Sequence, residues 1–211
     1  MTVFIIAGGT IQQSFAKSFI EKHKERDNLY IACDKGFEAC LALNLQPDII
    51  VGDFDSVSDS FQKIIDDSTA KVIRLNPVKD DTDTEAALNI AIRRTKSTDS
   101  IYILGATGGR IDHLLGNISL LAMGLINNRK VYIADEHNFI QIIGQASVLE
   151  IDREGQFGKY VSVFPYMEKA SGVTMSGFKY PLTDATLEGF NTLTVSNEIV
   201  EEHATIEIKS G

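Results

Sequence analysis

Residues 100–113 read SIYILGATGGRIDH. A short apolar run rich in β-branched and aromatic residues stops at a glycine-rich turn, which opens into IDHLLGNISLLAMGLI, a stretch of helical length and spacing. The same order recurs along the first two thirds of the chain. VFIIA, LYIAC, DIIVG, KVIRL and KVYIA read as further strands, each brief and bounded by Gly, Asp or Asn. Between the strands, residues 11–25, 36–44, 58–67, 83–96 and 111–127 read as helices. In the fourth of these, Ala86, Ala87, Ile90 and Ala91 share one face, and Arg93, Arg94 and Lys96 stand near the C-terminal end, where the helix dipole favours cations. Strands alternating with helices predict a Rossmann-like α/β domain with a mainly parallel sheet, over residues 1–136.

After residue 136 the pattern changes to a period of two. Ala204, Ile206 and Ile208 face one way, and Thr205, Glu207 and Lys209 the other. KYVSVFPY, GVTMSGFKY and FNTLTVS behave alike, separated by Gly, Pro and Asn. Residues 137–211 therefore predict a small antiparallel β-sandwich domain. It is short for a sandwich, which points to a partner subunit covering one face.

Bulk composition narrows the function. The 211 residues are 44% hydrophobic and 23% charged, ordinary for a folded soluble chain. A net charge of −9 and the lack of a Lys/Arg-rich stripe argue against nucleic-acid binding. The N-terminus MTVFIIAGGT carries no basic leader, and no apolar stretch is long enough to span a bilayer, so a cytoplasmic protein without a membrane role is expected. Cys33 and Cys40 lack C-x-x-C spacing and read as reduced core residues.

In an open α/β sheet, ligands bind beyond the carboxyl ends of the strands. There the sequence puts Asp34-Lys35-Gly36 after LYIAC, GDFDS after DIIVG, KDDTDTE after KVIRL, and GATGGRIDH after SIYIL. Thr82 and Glu85 fit a capping box, and Asp83 suits the first helical turn, but neither role explains Lys79 or Asp80. In GDFDS, Asp53 and Asp55 on an extended strand end would point to one side, a pairing that suits a hard divalent cation such as Mg²⁺. Gly105, Gly108 and Gly109 allow close backbone approach to a ligand, the helix start directs N–H groups at it, and Arg110 offers a fork to phosphate. No G-x-x-x-x-G-K-S/T loop occurs, which excludes a P-loop kinase. Acids facing a glycine and arginine cradle are the equipment of phosphoryl or pyrophosphoryl transfer. A metal-dependent phosphohydrolase and a nucleotide-binding sensor without turnover use similar parts.

GDFDS, then K-D-x-T-D-x-E-x-A-L, then G-A-T-G-G-R-x-D-H-x-L-x-N, in this order, resemble the thiamine pyrophosphokinase family, as do GVTMSGFKYPL and the SNE at 196–198. The resemblance covers nearly the whole chain. It implies an α/β domain with a β-sandwich domain, a homodimer, and transfer of pyrophosphate from ATP to the thiamine hydroxyl, giving thiamine diphosphate and AMP. Mg²⁺ would fall to Asp53, Asp55, Asp80 and Asp83. The nucleotide would fall to Asp34, Lys35, Lys79, Thr82, Gly105, Thr107, Gly108, Gly109 and Arg110. Asp112 would orient or deprotonate the thiamine hydroxyl, with His113, Asn117, Tyr180, Ser196 and Asn197 also at thiamine, where the subunits meet. Two departures stand out. Lys35 replaces a glycine, so that either the backbone shifts or the lysine adds a phosphate contact. Tyr180 replaces a tryptophan in a chain that has none.

Overall fold

The computed structural model describes residues 1–54, 59–76 and 82–211. They form two compact units, Met1–Gln141 and Ile142–Gly211. In the first unit β1 (Thr2–Ile6), α1 (Gln13–His23), β2 (Asn28–Cys33), α2 (Gly36–Leu43), β3 (Ile49–Gly52), α3 (Asp59–Asp66), β4 (Lys71–Arg74), α4 (Asp83–Arg94), β5 (Ser100–Leu104), α5 (Ile111–Ile126) and β6 (Lys130–Ala134) alternate strictly. A last strand, β7 (Phe139–Gln141), completes the sheet.

The sheet order is β4-β3-β2-β1-β5-β6-β7, parallel except for β7, which returns antiparallel to β6. The chain winds outward from β1 through β4 on one side and from β5 onward on the other. The topological switch therefore falls between β1 and β5, which pair from Thr2↔Ser100 to Ile6↔Leu104. Phe4, Ile6, Ile50 and Leu104 turn to one face and share a core with Phe19 and Ile20 of α1, Phe37 of α2 and Ile65 of α3. Val3, Ile5, Ile31 and Ile103 alternate with them and are equally buried, as expected for a sheet covered on both sides. Aromatic rings cross the strands in register, Tyr30 against Phe4 at 5.5 Å, Phe4 against Tyr102 at 5.7 Å and Tyr102 against Tyr132 at 5.1 Å. Cys33 and Cys40 are buried thiols outside any disulfide, and burial pushes the Cys40 thiol up to about 12, leaving it chemically quiet.

The second unit contains β8 (Ser147–Asp152), β9 (Tyr160–Val161), β10 (Lys169–Ser176), β11 (Leu182–Glu188), β12 (Asn197–Glu198) and β13 (His203–Ile208). An antiparallel sheet of order β11-β10-β13-β8 carries the core residues Val173, Met175, Leu187 and Ile206. The β12–β9 ribbon adds a reduced second layer, with Val161 packed against that same core. The period of two read in Ala204, Ile206 and Ile208 is the buried side of β13. The sequence-based division at 136 falls three residues before β7, which belongs to the first sheet.

Candidate active site

The GATGG turn follows β5, next to the switch point, and its backbone conformation explains its composition. Gly105, Gly108 and Gly109 have φ of +71°, +77° and +89°, a region side chains rarely adopt. Gly108 and Gly109 are exposed, so their peptides are open to a ligand. From the other side of the switch, the loop after β1 presses against this turn. The Gly9 N–H donates to the Gly105 carbonyl at 2.9 Å, and a side chain at Gly9 would collide with the Gly105 and Thr107 carbonyls. A narrow cleft lies alongside, lined by Thr10, Ile11, Phe15, Gly105, Asp135 and Glu136.

Three expected ligand contacts in this region are engaged otherwise. The Thr107 hydroxyl donates to Asp135 Oδ2 at 2.6 Å. Asn117 Nδ2 donates to the Ala106 carbonyl at 2.8 Å, tying α5 to the turn. Arg110 forks onto Asp112, with Nε to Oδ1 at 3.1 Å and Nη2 to Oδ2 at 2.5 Å. Both Arg110 and Asp112 are exposed, and the guanidinium bonds hold the Asp112 carboxyl below its ordinary range. His113 is exposed on the first turn of α5, its backbone N–H donating to Asp112 Oδ1 at 2.9 Å.

On the other side of β1, the acids gather after β2, β3 and at the start of α4. Asp34 has a positive φ of +43°; the Lys35 N–H donates to its carboxyl, but among the described residues the buried Oδ1 has no hydrogen-bond partner. Burial pushes its carboxyl above the ordinary range, and the charges of Asp83 and Asp53 push it further in the same direction. Asp34 therefore feels carboxylates from two other segments. An unpartnered buried oxygen among like charges is the donor chemistry a hard cation relieves. Among the described residues, no three His, Cys, Asp or Glu side chains are grouped closely enough to hold a metal ion. Asp55, Lys79 and Asp80, three of the residues read for this site, lie outside the described residues. Thr82 caps α4 as expected, its Oγ1 accepting from the Glu85 N–H at 3.2 Å.

The expectation that Asp53 and Asp55 share one side of an extended strand end turns on Asp55, which lies outside the described residues; β3 stops at Gly52, and Phe54 has φ of +56°. Phe54 is buried, with the Arg74 guanidinium 5.3 Å from its ring centre. Lys35 has φ and ψ of −57° and −19°, ordinary right-handed values that a residue with a side chain adopts without strain. It is the next residue that must be glycine, because a side chain at Gly36 would strike the Ile6 carbonyl. Lys35 is exposed beside Gly8.

In the second unit, Tyr180 is exposed, with the Lys179 ammonium 5.5 Å from its ring centre. Asn197, 3% exposed, grips the Tyr180 backbone: its Oδ1 accepts from the Tyr180 N–H at 3.0 Å and its Nδ2 donates to the Tyr180 carbonyl at 2.8 Å. Its Oδ1 also accepts from the Glu198 N–H at 3.0 Å. Ser196, at φ of +60°, is exposed and donates its N–H to Ser162 Oγ at 3.0 Å. Glu198 pairs with Lys159 and Lys179, both at 3.3 Å.

Sequence reasoning missed Asp135 and passed over the side-chain economy of Asn117 and Asn197. Asp135 was findable, since it is the first residue after the sixth strand and opens DEHN, a turn-forming run.

Known proteins share this organisation along the whole chain. The thiamin pyrophosphokinase catalytic-domain family matches residues 20–133, and the thiamin pyrophosphokinase vitamin B1 binding domain matches residues 147–211. A thiamine pyrophosphokinase of Bacillus subtilis (strain 168) is 34% identical, aligned over 100% of this chain and 95% of its own. The crystal structure of a Bacillus subtilis thiamine pyrophosphokinase superposes with a TM-score of 0.88 at 31% identity, covering 100% of this chain and 95% of that one. Yeast thiamin pyrophosphokinase, at 17% identity, a TM-score of 0.79, and 99% and 83% coverage, shares the fold. With both domain families matched in order and a relative above 30% identity along its full length, this chain belongs to the thiamine pyrophosphokinase family.

Proposed function

We propose that the protein transfers pyrophosphate from ATP to the hydroxyl oxygen of thiamine, yielding thiamine diphosphate and AMP, as a cytoplasmic homodimer with Mg²⁺. The observation that carries this reading is the pairing, at one edge of the parallel sheet, of a positive-φ glycine turn with an acidic cluster. The oxygen of thiamine attacks the β-phosphorus, the bond to the α-phosphate breaks, AMP leaves, and the hydroxyl proton is released. Catalysis of this kind consists mainly of positioning and charge neutralisation.

The exposed N–H groups of Gly108 and Gly109, with the helix start behind them, face the phosphates. Arg110, Lys35 and Lys79 supply positive charge there. Arg110 is shared between Asp112 and phosphate, since its fork matches either anion. Asp53, Asp55, Asp80 and Asp83 would hold Mg²⁺, with the unpartnered Asp34 oxygen turned to the same charge cluster. When bound, the cation would neutralise charge on the transferring phosphates. Asp112, held below the ordinary carboxylate range by Arg110, serves as an acceptor that orients the thiamine hydroxyl rather than as a strong base. Tyr180 stands for the aromatic that faces the cationic thiazolium. Lys35 has ordinary backbone angles, so its replacement of glycine gives no ground for a sensor without turnover.

The test is direct. The protein is incubated with ATP, Mg²⁺ and thiamine, and AMP and thiamine diphosphate are followed. Both should appear in equal amounts. Phosphate release independent of thiamine would replace the reading with hydrolysis, and binding without AMP would replace it with a sensor. Apolar exposure in the second unit, with Met167 at 68% and Phe190 at 88%, supports a covering subunit. Light scattering should give a dimer at assay concentration, and a fully active monomer would remove the shared thiamine site.

A further inference from the structure

The Gly105–Gly109 turn must keep two glycine peptides open to solvent and still in one orientation. Glycines lose more conformational freedom on ordering than other residues, so something must fix them. Two anchors act at its beginning: the Gly9 N–H on the Gly105 carbonyl, and Asn117 Nδ2 on the Ala106 carbonyl. Only one side-chain bond described here holds the residue adjacent to Gly108, and that is Thr107 Oγ1 to Asp135 Oδ2 at 2.6 Å, across 28 residues of chain.

Asp135 is unusually well placed to be an anchor. It is 9% exposed, and burying a carboxylate is costly unless it is hydrogen-bonded. Its Oδ1 accepts from the His137 and Asn138 N–H groups, both at 2.7 Å, and the Asn138 side-chain amide reaches both oxygens at 3.0 Å. Its own N–H donates to the Asn138 carbonyl at 2.9 Å, closing the turn between β6 and β7. Burial pushes the carboxyl up, but the bonds from Thr107, Asn138 and the turn backbone outweigh it and hold the group ionised. The Thr107 hydroxyl has one proton, and that proton goes to Asp135. What Thr107 leaves free is acceptor capacity, which a phosphate oxygen cannot use.

We infer that Asp135 is a positioning residue for the nucleotide: through the Thr107 hydroxyl, it fixes the peptides that follow so that the Gly108 and Gly109 N–H groups meet phosphate already oriented. Thr107 is then a strut rather than a ligand. This inference rests on the nucleotide reading above.

The test compares Thr107→Val, Thr107→Ser, Asp135→Asn and the Thr107→Val/Asp135→Asn double variant with the natural protein. KM for ATP and for thiamine, and calorimetric binding of a nonhydrolysable ATP analogue with Mg²⁺, are measured for each. Thr107→Val should raise the ATP KM and the analogue Kd about tenfold, the scale of one lost bond to a charged group. Thiamine KM should stay within about twofold, and Thr107→Ser should restore ATP binding. The double variant should be no worse than the worse single one, because both act on ATP binding through the same bond. If Thr107 instead donated to phosphate, Asp135→Asn would leave ATP binding unchanged or tighter, and the proposal falls. It also falls if Thr107→Val binds the analogue normally, if both KM values rise equally, if the serine variant is as impaired as valine, or if the two losses add. Asparagine has one acceptor oxygen where the turn uses two; should Asp135→Asn fail to fold, the valine and serine variants decide the matter alone. Natural protein that binds the analogue but makes no AMP would sink the transfer reading and leave the positioning test intact.

Discussion

At the carboxyl edge of its parallel sheet, the first unit offers a ligand mainly backbone and charge: glycine peptides after β5, the Arg110–Asp112 fork, and the carboxylates Asp34, Asp53 and Asp83. The second unit offers rings and chains, with Tyr160, Phe164, Tyr166, Met167, Phe190 and Leu193 all exposed. The contrast follows from how each is built. Parallel strands end together and feed loops and helix starts into one crevice, where N–H groups and acids can be aimed at an anion and its counter-ion. A four-stranded antiparallel sheet with a two-stranded ribbon covers its own core incompletely and leaves apolar surface for an organic ligand or another subunit. On the function proposed, the difference teaches that the two substrates would be met by different physics, electrostatics on one unit and ring contact on the other.

That division can be broken by mutation. Asp53→Asn should lower kcat about 10³-fold, the scale of losing a charge-stabilising group, while thiamine binding measured by calorimetry changes far less. Equal losses in both would mean the acids serve folding or general binding instead. Next in size is Asn197→Ala. It strips partners from the Tyr180 N–H and carbonyl and from the Glu198 N–H, which should cost about 1–3 kcal/mol in denaturant unfolding. An unchanged midpoint would show that Asn197 is kept for ligand contact, as its sequence motif implied. The smallest effect belongs to Tyr180→Ala, which should raise thiamine KM about fivefold, about 1 kcal/mol, with ATP KM unmoved. Tyr180→Trp should instead lower thiamine KM, because indole offers a cation the better face. A tryptophan variant with weaker thiamine binding would separate Tyr180 from the ring-contact role.

Much of the fold was legible because burial imprints a period. Six strands and five helices were readable from runs of two and of three to four, and the helix starting at Asp83 even announced its cap in Thr82. β7 was not, since three residues carry no period and an antiparallel return at a sheet edge needs only a turn. In the site, the sequence identified which residue types follow which strand, but not the hand of the backbone between them. Phe54 takes a left-handed φ, and its buried ring meets Arg74, a contact between positions 20 apart that no local pattern encodes. Asn117 and Asn197 fit motif positions associated with a ligand, yet each gives an N–H to a carbonyl that comes near only after folding. Asp135 escaped because strand ends were read only as far as β5, although its place after β6 obeys the same rule.

The contact between Gly9 and the Gly105 and Thr107 carbonyls has a consequence for the timing of entropy loss. Two glycine loops free to move separately would each have to be ordered by the incoming nucleotide, at roughly 1–2 kcal/mol per residue fixed. Here the loop after β1 and the loop after β5 meet backbone against backbone at Gly9, with a hydrogen bond across the seam. Neither can shift without the other, so most of that ordering is completed when β1 and β5 pair during folding. What remains for the ligand is to enter a platform whose disorder has already been removed.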